Sequence, residues 1–229
     1  MLQFWKENIK IKNFLIPRFM SAPMDGVTDS PFRQLIRNYS PNILLFTEMR
    51  HVATVANSKK EKSLKFCKSE HPLCFQISAN STNFISKAIE KILANKFDML
   101  NLNSGCPAKK VVNSESGSAL MANPKKLQNI IIKINEELKQ SIPFSLKIRA
   151  GFKEKNALQI AQIAQDIGID FLIIHPRTQP GGFSSELDFE IVKKIKQTVT
   201  IPVIFSGNII DFNSAKQTYE KTGIDGFSM

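Results

Sequence analysis

Short apolar runs alternate along the chain with longer segments in which apolar residues recur every three to four positions. Runs of four to eight apolar residues are typical of buried strands, and the three-to-four spacing is typical of amphipathic helices. The pattern predicts eight strands, at residues 18–22, 43–49, 73–77, 97–102, 144–149, 171–175, 202–206 and 224–229. It predicts helices at residues 30–39, 82–95, 124–139, 157–167, 189–198 and 211–222, with a weak helical signal after the second strand.

Strands that alternate with helices pair in parallel through right-handed crossovers. Eight such units predict a (β/α)8 TIM barrel that occupies residues 1–229 as one catalytic domain and is incomplete at its eighth unit. An open, doubly wound sheet is the alternative, but no G-x-G-x-x-G follows the first strand. The barrel is favoured because polar residues follow the predicted strands and would share one rim: Asp25, Glu48, Gln76, Asn103, Lys147, Arg149, His175 and Asn208.

Composition and charge narrow the class of protein. The 229 residues are 42% hydrophobic, which is enough for one sizeable core. The chain has no apolar run of transmembrane length and no secretory signal pattern, and its three cysteines form no C-x-x-C pair. We therefore expect a cytoplasmic protein without a membrane or metal partner. The net charge of +11 suggests a nucleic acid partner, although a lysine-rich composition would explain it equally well.

One cysteine stands where a barrel enzyme would carry its chemistry. Cys106 lies in the segment NSGCPAKK (residues 103–110), directly after the predicted fourth strand. A cysteine between Gly and Pro and beside two lysines is placed to meet a ligand. The ordinary alternative is a free cysteine that serves as a small buried hydrophobe.

Other candidate residues follow neighbouring strands. Lys147 and Arg149 alternate on the fifth strand, so their side chains point to the same side. Two cations inside a barrel are costly unless they meet an anion or a polarised ligand. His175 ends the sixth strand, and the amides of Gln76 and Asn103 could donate to and accept from the edge of a heterocycle.

Two loops have the composition of a ligand site. Pro23, Met24 and Asp25 leave the first strand, and a Gly follows that would let a flat ligand approach the backbone. Thr28 or Asp29 is expected to cap the next helix. After the seventh strand, the turn Ser206-Gly207-Asn208 suggests a phosphate cradle, in which backbone amides and a helix N-terminus face the anion.

Seven stretches in this order resemble one family, the tRNA-dihydrouridine synthases. They are APMDGVTDSPFR (22–33), FQISAN (75–80), GCPAKKVV (105–112), SGSALM (116–121), SLKIRAGF (145–152), IIHPRT (173–178) and PVIFSGNI (202–209). The resemblance runs from about residue 14 to the end and is closest to the bacterial DusB-like branch.

The resemblance implies a flavin enzyme. In this family FMN, reduced by NADPH, delivers hydride to a uracil ring flipped out of tRNA, and a loop cysteine protonates the adjacent carbon. Cys106 matches that proton donor, and a thiol with an ordinary pKa of about 8.5 can act as an acid at neutral pH. The residues that match cofactor contacts are Pro23, Met24, Asp25, Gln76, Lys147, His175, Ser206, Gly207 and Asn208. Asn103 and Arg149 match positions near the flavin and the substrate uracil.

The chain departs from the family pattern in two places. Ser206-Gly207-Asn208 stands where the family usually has Asn-Gly-Asp. The sequence also ends at Met229, where family members continue into a Gly-Arg pair, a last barrel helix and a helical RNA-binding domain. From this we expect weak FMN retention and little tRNA modification by residues 1–229. Two rivals remain: an FMN barrel oxidoreductase for a small substrate, such as a dihydroorotate dehydrogenase-like enzyme, and a truncated remnant without catalysis.

Overall fold

Eight parallel strands form a barrel in the computed structural model, which describes residues 4–59, 64–182 and 184–229. A hairpin of β1 (Asn8–Ile11) and β2 (Phe14–Pro17) precedes them. The barrel strands are β3 (Phe19–Met20), β4 (Leu45–Phe46), β6 (Leu73–Ser78), β7 (Met99–Ser104), β8 (Phe144–Gly151), β9 (Phe171–Thr178), β10 (Val203–Ser206) and β11 (Gly226–Ser228). The short strand β5 (Arg50–His51) adds a second parallel pairing to β6.

The sheet closes on itself. Its strand order is β3-β11-β10-β9-β8-β7-β6-β4, and the two ends of this path meet. There the N–H of Ser21 donates to the carbonyl of Leu44 at 3.0 Å, and the N–H of Phe46 donates to Ser21 Oγ at 2.9 Å. The predicted (β/α)8 barrel is confirmed, and the open doubly wound sheet is excluded.

Helices follow the first seven barrel strands. They are α1 (Ser30–Tyr39), α2 (Val52–Asn57), α3 (Ile85–Ala94), α4 (Lys109–Asn113), α5 (Pro124–Leu138), α6 (Ala157–Ile167), α7 (Phe189–Thr198) and α8 (Phe212–Thr222). Three have the predicted bounds, namely α1, α6 and α7. The weak signal after the second strand corresponds to α2. In the ranges that the structure describes, no helix combines the length and apolarity needed to cross a lipid bilayer.

Other predicted bounds were wrong for local reasons. The helix expected from residue 82 begins only at Ile85, because Phe84 adopts a left-handed conformation with φ of 66°. The helix expected from residue 211 begins at Phe212, since Asp211 caps it by accepting from the N–H of Ser214. Asp29 caps α1 in the same way, as expected. The stretch SGSALM, after the Cys106 loop, lies largely in a 3₁₀ helix (Gly117–Ala122).

Inward positions become more polar from the amino end of the barrel to the carboxyl end. On β7 the inward residues are Met99, Asn101 and Asn103, and each step is two residues. At the amino end Met99 packs in an apolar cluster with Phe46, Phe171 and hairpin residues such as Ile16. The hairpin, which the sequence analysis missed, thus fills the bottom of the barrel, and polar side chains are left for the upper rim.

Candidate active site

A cleft of about 560 Å³ opens at the carboxyl ends of the barrel strands. Its volume lies in the usual range for a ligand site. All twelve candidate residues from the sequence line it: Pro23, Met24, Asp25, Gln76, Asn103, Cys106, Lys147, Arg149, His175, Ser206, Gly207 and Asn208. The roles assigned to them stay predictions, but the fold brings together residues that lie more than a hundred positions apart.

The sequence analysis missed the apolar walls of this cleft. Met49, Ile148, Ile209 and Ile210 line it beside the polar residues. The side chains of Met49, Ile209 and Ile210 would provide apolar contact area for an aromatic ligand, whereas Ile148 lines the cleft with its backbone and buries its side chain in the outer core. Their positions directly after or within the rim strands were the available signal, but apolar residues in loops rarely stand out in a single sequence.

A ladder of amide side chains crosses the floor of the cleft. Gln76 Nε2 donates to Asn101 Oδ1 at 2.8 Å, and Asn103 Nδ2 donates to Gln76 Oε1 at 3.0 Å. Asn101 Nδ2 in turn donates to Ser145 Oγ at 2.8 Å. Both ends of the Gln76 amide are therefore fixed. Asn101 and Ser145 were not predicted, although each stands two residues before a predicted site residue on the same strand.

Asn103 shapes the loop that carries the cysteine. Its Oδ1 accepts hydrogen bonds from the N–H of Gly105 at 3.1 Å and from that of Cys106 at 2.9 Å. The carbonyl of Cys106 accepts from the N–H of Ser118 at 3.0 Å. Cys106 is half-buried in this loop, so the backbone is fixed while part of the residue remains accessible.

Burial and a neighbouring positive charge destabilise the charged form of Lys147. Its Nζ donates to Ser206 Oγ at 3.2 Å. Burial, followed by the nearby charge of Arg149, lowers the pKa of Lys147 to about 8, although the charge of Cys106 acts in the opposite direction. Among the residues described, no ion pair joins Lys147 to a carboxylate. An anionic or electron-rich ligand edge would relieve this cost.

Arg149 donates hydrogen bonds to backbone carbonyls of the protein. It is buried, and its Nε donates to the carbonyl of Gly105 at 2.8 Å. Its Nη1 donates to the carbonyls of Thr178 at 3.1 Å and Gly182 at 3.3 Å. Backbone carbonyls of two loops thus accept from this cation, while its expected contact with a ligand stays a prediction.

His175 is neutral at physiological pH. Burial, followed by the charges of Lys147, Arg149 and Arg177, lowers its pKa to about 3. Gly207 makes room beside it: at its φ of 131°, a Cβ would lie 3.2 Å from His175 Cδ2 and Nε2. The imidazole therefore faces the cleft edge as an uncharged group.

Arg177 is a buried cation that the sequence analysis quoted only within a motif. Its Nε donates to the carbonyl of Ser185, and its Nη1 lies 3.4 Å from Asn208 Oδ1. It therefore ties the turn after β10 to the loop after β9. Its place two residues after His175, on the same strand, was the signal that could have found it.

The turn after β10 differs from the cradle that was expected. Asp211 places its own carboxylate at the N-terminus of α8, where it accepts from the N–H of Ser214 at 2.7 Å. That carboxylate already compensates the positive end of the helix. An anion at this turn would depend on Ser206, Gly207 and Asn208 themselves.

Asp25 lies at the lip of the cleft, in the loop after β3. Its side chain is 71% exposed and pairs with Arg50 Nη1 at 3.2 Å. Arg50 also pairs with Glu48, which accepts from the N–H of Gly26 at 2.8 Å. These contacts hold the loop after β3 in place, while the flavin contact expected for Asp25 stays a prediction.

Comparisons with known proteins agree with this geometry. The family described as dihydrouridine synthase (Dus) matches residues 20–229. A probable tRNA-dihydrouridine synthase of Rickettsia bellii is 35% identical over 95% of this chain and 68% of its own length. The tRNA-dihydrouridine synthase B of Pseudomonas aeruginosa is 31% identical over 95% of this chain and 66% of its own. A third relative, probable tRNA-dihydrouridine synthase 1 of Synechocystis, is 30% identical over 97% of this chain and 63% of its own.

The chain therefore spans about two thirds of the length of these relatives. Among solved structures, histamine dehydrogenase from Rhizobium sp. 4-9 superposes with a TM-score of 0.74 over 99% of this chain and 45% of that one. At 10% identity this similarity concerns the fold alone. The family match extends over most of the chain, from the second residue of β3 to the last barrel strand, so the chain belongs to the dihydrouridine synthase family.

Proposed function

We propose that this protein reduces uridine to 5,6-dihydrouridine in tRNA, with FMN as cofactor, NADPH as reductant and Cys106 as proton donor. The names of its relatives supply the substrate and the product. The observation that carries the proposal is the position of a half-buried thiol on a fixed loop, in the same cleft as the amide ladder and Lys147. A proton donor must lie within reach of the reacting atoms, and Cys106 lines the cleft in which those atoms would bind.

The residues present fit FMN. A flat, polar-edged ring system needs apolar walls, donors at one edge and a close backbone approach. Met49 and Ile209 provide walls, and the Gln76 amide with Lys147 provides donors. Gly207 has φ of 131° and a Cβ there would lie 3.2 Å from His175, so only glycine brings the backbone of this turn so close to the imidazole at the cleft.

Different residues of the chain would then have different roles in the reaction. Bound FMN, reduced by NADPH, would supply hydride to one carbon of the uracil C5=C6 bond. Cys106 Sγ gives its proton to the other carbon, so the ring gains two hydrogens and the thiolate later regains a proton from solvent. Lys147 holds positive charge against the cofactor edge, and neutral His175 can donate or accept there.

The cleft mouth also suits a polyanionic substrate. Lys109 and Lys110 begin α4, three and four residues after Cys106, and both are exposed. Positive charge at this place attracts the phosphates that flank a flipped nucleotide. Binding of tRNA would give a functional reason for the net charge of +11, for which composition alone allowed two explanations.

The test uses a version of the protein that includes the C-terminal segments found in its relatives, with FMN, NADPH and a tRNA transcript that carries no modifications. We expect a mass increase of about two hydrogens on a uridine-containing fragment, because the reaction adds one hydride and one proton. Turnover of free uridine or a free pyrimidine acid, with no change in tRNA, would contradict the tRNA substrate and favour a small-substrate oxidoreductase. A protein that binds neither FMN nor tRNA would favour the non-catalytic reading.

A further inference from the structure

The backbone around Cys106 is held at every polar group. The N–H groups of Gly105 and Cys106 donate to Asn103 Oδ1, and the carbonyl of Cys106 accepts from Ser118. The remaining group, the carbonyl of Gly105, accepts from Arg149 Nε at 2.8 Å. Three of these contacts come from residues within fifteen positions, whereas Arg149 comes from the next barrel strand.

Small residues leave this loop without side-chain packing of its own. A Cβ at Gly105 would lie 3.3 Å from the backbone carbon of Ile148. A Cβ at Gly117, with φ of 59°, would lie 2.9 Å from the Cys106 carbonyl oxygen and 2.7 Å from Val111 Cγ1. Because the two glycines bring the backbone of the loop close to neighbouring atoms, we expect hydrogen bonds to determine the position of the loop relative to the barrel rim.

Arg149 connects this loop to a second one. Its side chain donates to Gly105 on one side, and to Thr178 and Gly182 on the other. The residue is 2% exposed. A guanidinium is planar and presents its donors in a fixed fork, so it fixes the carbonyls of the two loops relative to each other.

We propose that Arg149 is a positioning residue, which holds the Gly105 carbonyl and thereby sets where the Cys106 thiol stands over the cleft. The proposal rests on the proposed function, in which Cys106 delivers a proton. The sequence had placed Arg149 in contact with the substrate. Its Nε and Nη1 could reach a substrate only by leaving the carbonyls that they now bind.

Hydrogen exchange on the protein without cofactor directly tests the clamp, by which we mean the hydrogen bonds from Arg149 to the carbonyls of Gly105, Thr178 and Gly182. Replacing Arg149 with Met removes the donors and keeps much of the apolar stem. We expect the amides of Gly105 and Cys106 to exchange about tenfold faster, because opening of the loop then needs one fewer charged hydrogen bond. Arg149→Lys should fall between wild type and Arg149→Met, since a single amine cannot reproduce the fork.

Arg177→Met is the matched control. Arg177 is also buried and two residues beyond His175, but its contacts are with Ser185 and Asn208. Its loss should leave exchange of the Cys106 loop unchanged. If Arg149→Met unfolds the protein, Arg149→Lys still decides. Unchanged loop exchange in Arg149→Lys, or equal acceleration by Arg177→Met, would overturn the proposal.

A double-mutant comparison separates positioning from substrate contact. In single-turnover reduction of tRNA, we expect Arg149→Met to slow the wild type about 10- to 100-fold, the range that follows from a misplaced catalytic group. In a Cys106→Ala background the same change should cost less than about twofold, since the two residues act through one step. An undiminished loss in that background would show a direct substrate contact instead. If the wild type does not reduce tRNA at all, the proposed function fails, and the exchange measurement still decides whether the clamp exists.

Discussion

The two ends of the barrel differ in the partners of their buried and partly buried charged side chains. At the amino end an aspartate directly precedes each of three alternate barrel strands, β7, β9 and β11, namely Asp98, Asp170 and Asp225. Each carboxylate accepts from the N–H that opens the preceding barrel strand, at 2.7 Å in all three cases, on Leu73, Phe144 and Val203. Each also meets a basic side chain, on His71, Lys12 and Lys196 respectively.

Inside the cleft at the carboxyl end, the basic side chains of β8 and β9 contact hydroxyls and carbonyls, although Arg50 at the rim pairs with Asp25 and Glu48. Lys147 contacts Ser206, Arg149 contacts three carbonyls and Arg177 contacts Ser185. Burial and mutual repulsion lower the pKa values of Lys147 and His175. The amino end therefore neutralises its charges and stabilises the strands, whereas the carboxyl end keeps a positive field that a ligand can use, at a cost in stability.

The largest expected effect is on chemistry alone. Cys106→Ala should reduce dihydrouridine formation by about 10²–10⁴-fold, the usual contribution of a general acid. The change removes one half-buried sulfur from a loop that hydrogen bonds hold, so FMN affinity should not change. Single-turnover rates and a flavin titration measure both quantities. Cys67→Ala, at an exposed cysteine, is the matched control; equal rates in the two variants would remove Cys106 from the reaction.

A smaller effect is expected from Lys147→Met. Loss of the ammonium should weaken FMN binding about 10- to 100-fold, because a charge-assisted contact contributes on the order of 1.5–3 kcal/mol. The exposed Lys193→Met provides the control for a change of net charge. A fluorescence titration that gave equal FMN affinities for all three proteins would contradict the role of Lys147.

The same variant should raise the stability of the cofactor-free protein. The pKa of Lys147 is about 8 in the folded chain, below its ordinary value of 10.5. The unfolded chain therefore binds more protons between pH 8 and 10.5, and the free energy of unfolding rises with pH across that window. Below pH 8 the full cost applies, about 1–2 kcal/mol once solvent access is allowed for. Lys147→Met should remove this pH dependence, and denaturant titrations at pH 7.5 and 10 would show whether it does.

At the amino end a loss of stability is expected. Asp170→Ala should leave the N–H of Phe144 without its acceptor and Lys12 without its partner. The free energy of unfolding should fall by about 1–3 kcal/mol, the range for an unsatisfied, partly buried donor. Asp166→Ala, on the exposed face of α6, makes the same charge change and should cost less than about 0.5 kcal/mol. Equal losses in the two variants would contradict a special role for the strand-linking aspartates.

Periodicity was sufficient to predict the barrel and the residues of its rim. Each strand–helix unit buries an apolar face, and parallel strands place their carboxyl ends together, so Cys106 and Lys147 could be placed on one rim in advance. The hairpin that includes Ile9 was missed, because two four-residue strands interrupted by lysines carry little signal. The role of Arg149 was also out of reach, since it depends on where the carbonyls of two loops come to lie.

The contrast between the two ends is tested most directly by measuring unfolding and turnover side by side in Cys106→Ala and Asp170→Ala. Chemical denaturation and single-turnover reduction of unmodified tRNA are both applied to each variant. The account predicts a crossed result: Cys106→Ala loses about 10²–10⁴-fold in rate at wild-type stability, and Asp170→Ala loses about 1–3 kcal/mol of stability at a near wild-type rate. A Cys106→Ala protein that reduces tRNA at the wild-type rate, or an Asp170→Ala protein that keeps full stability and loses catalysis, would contradict it.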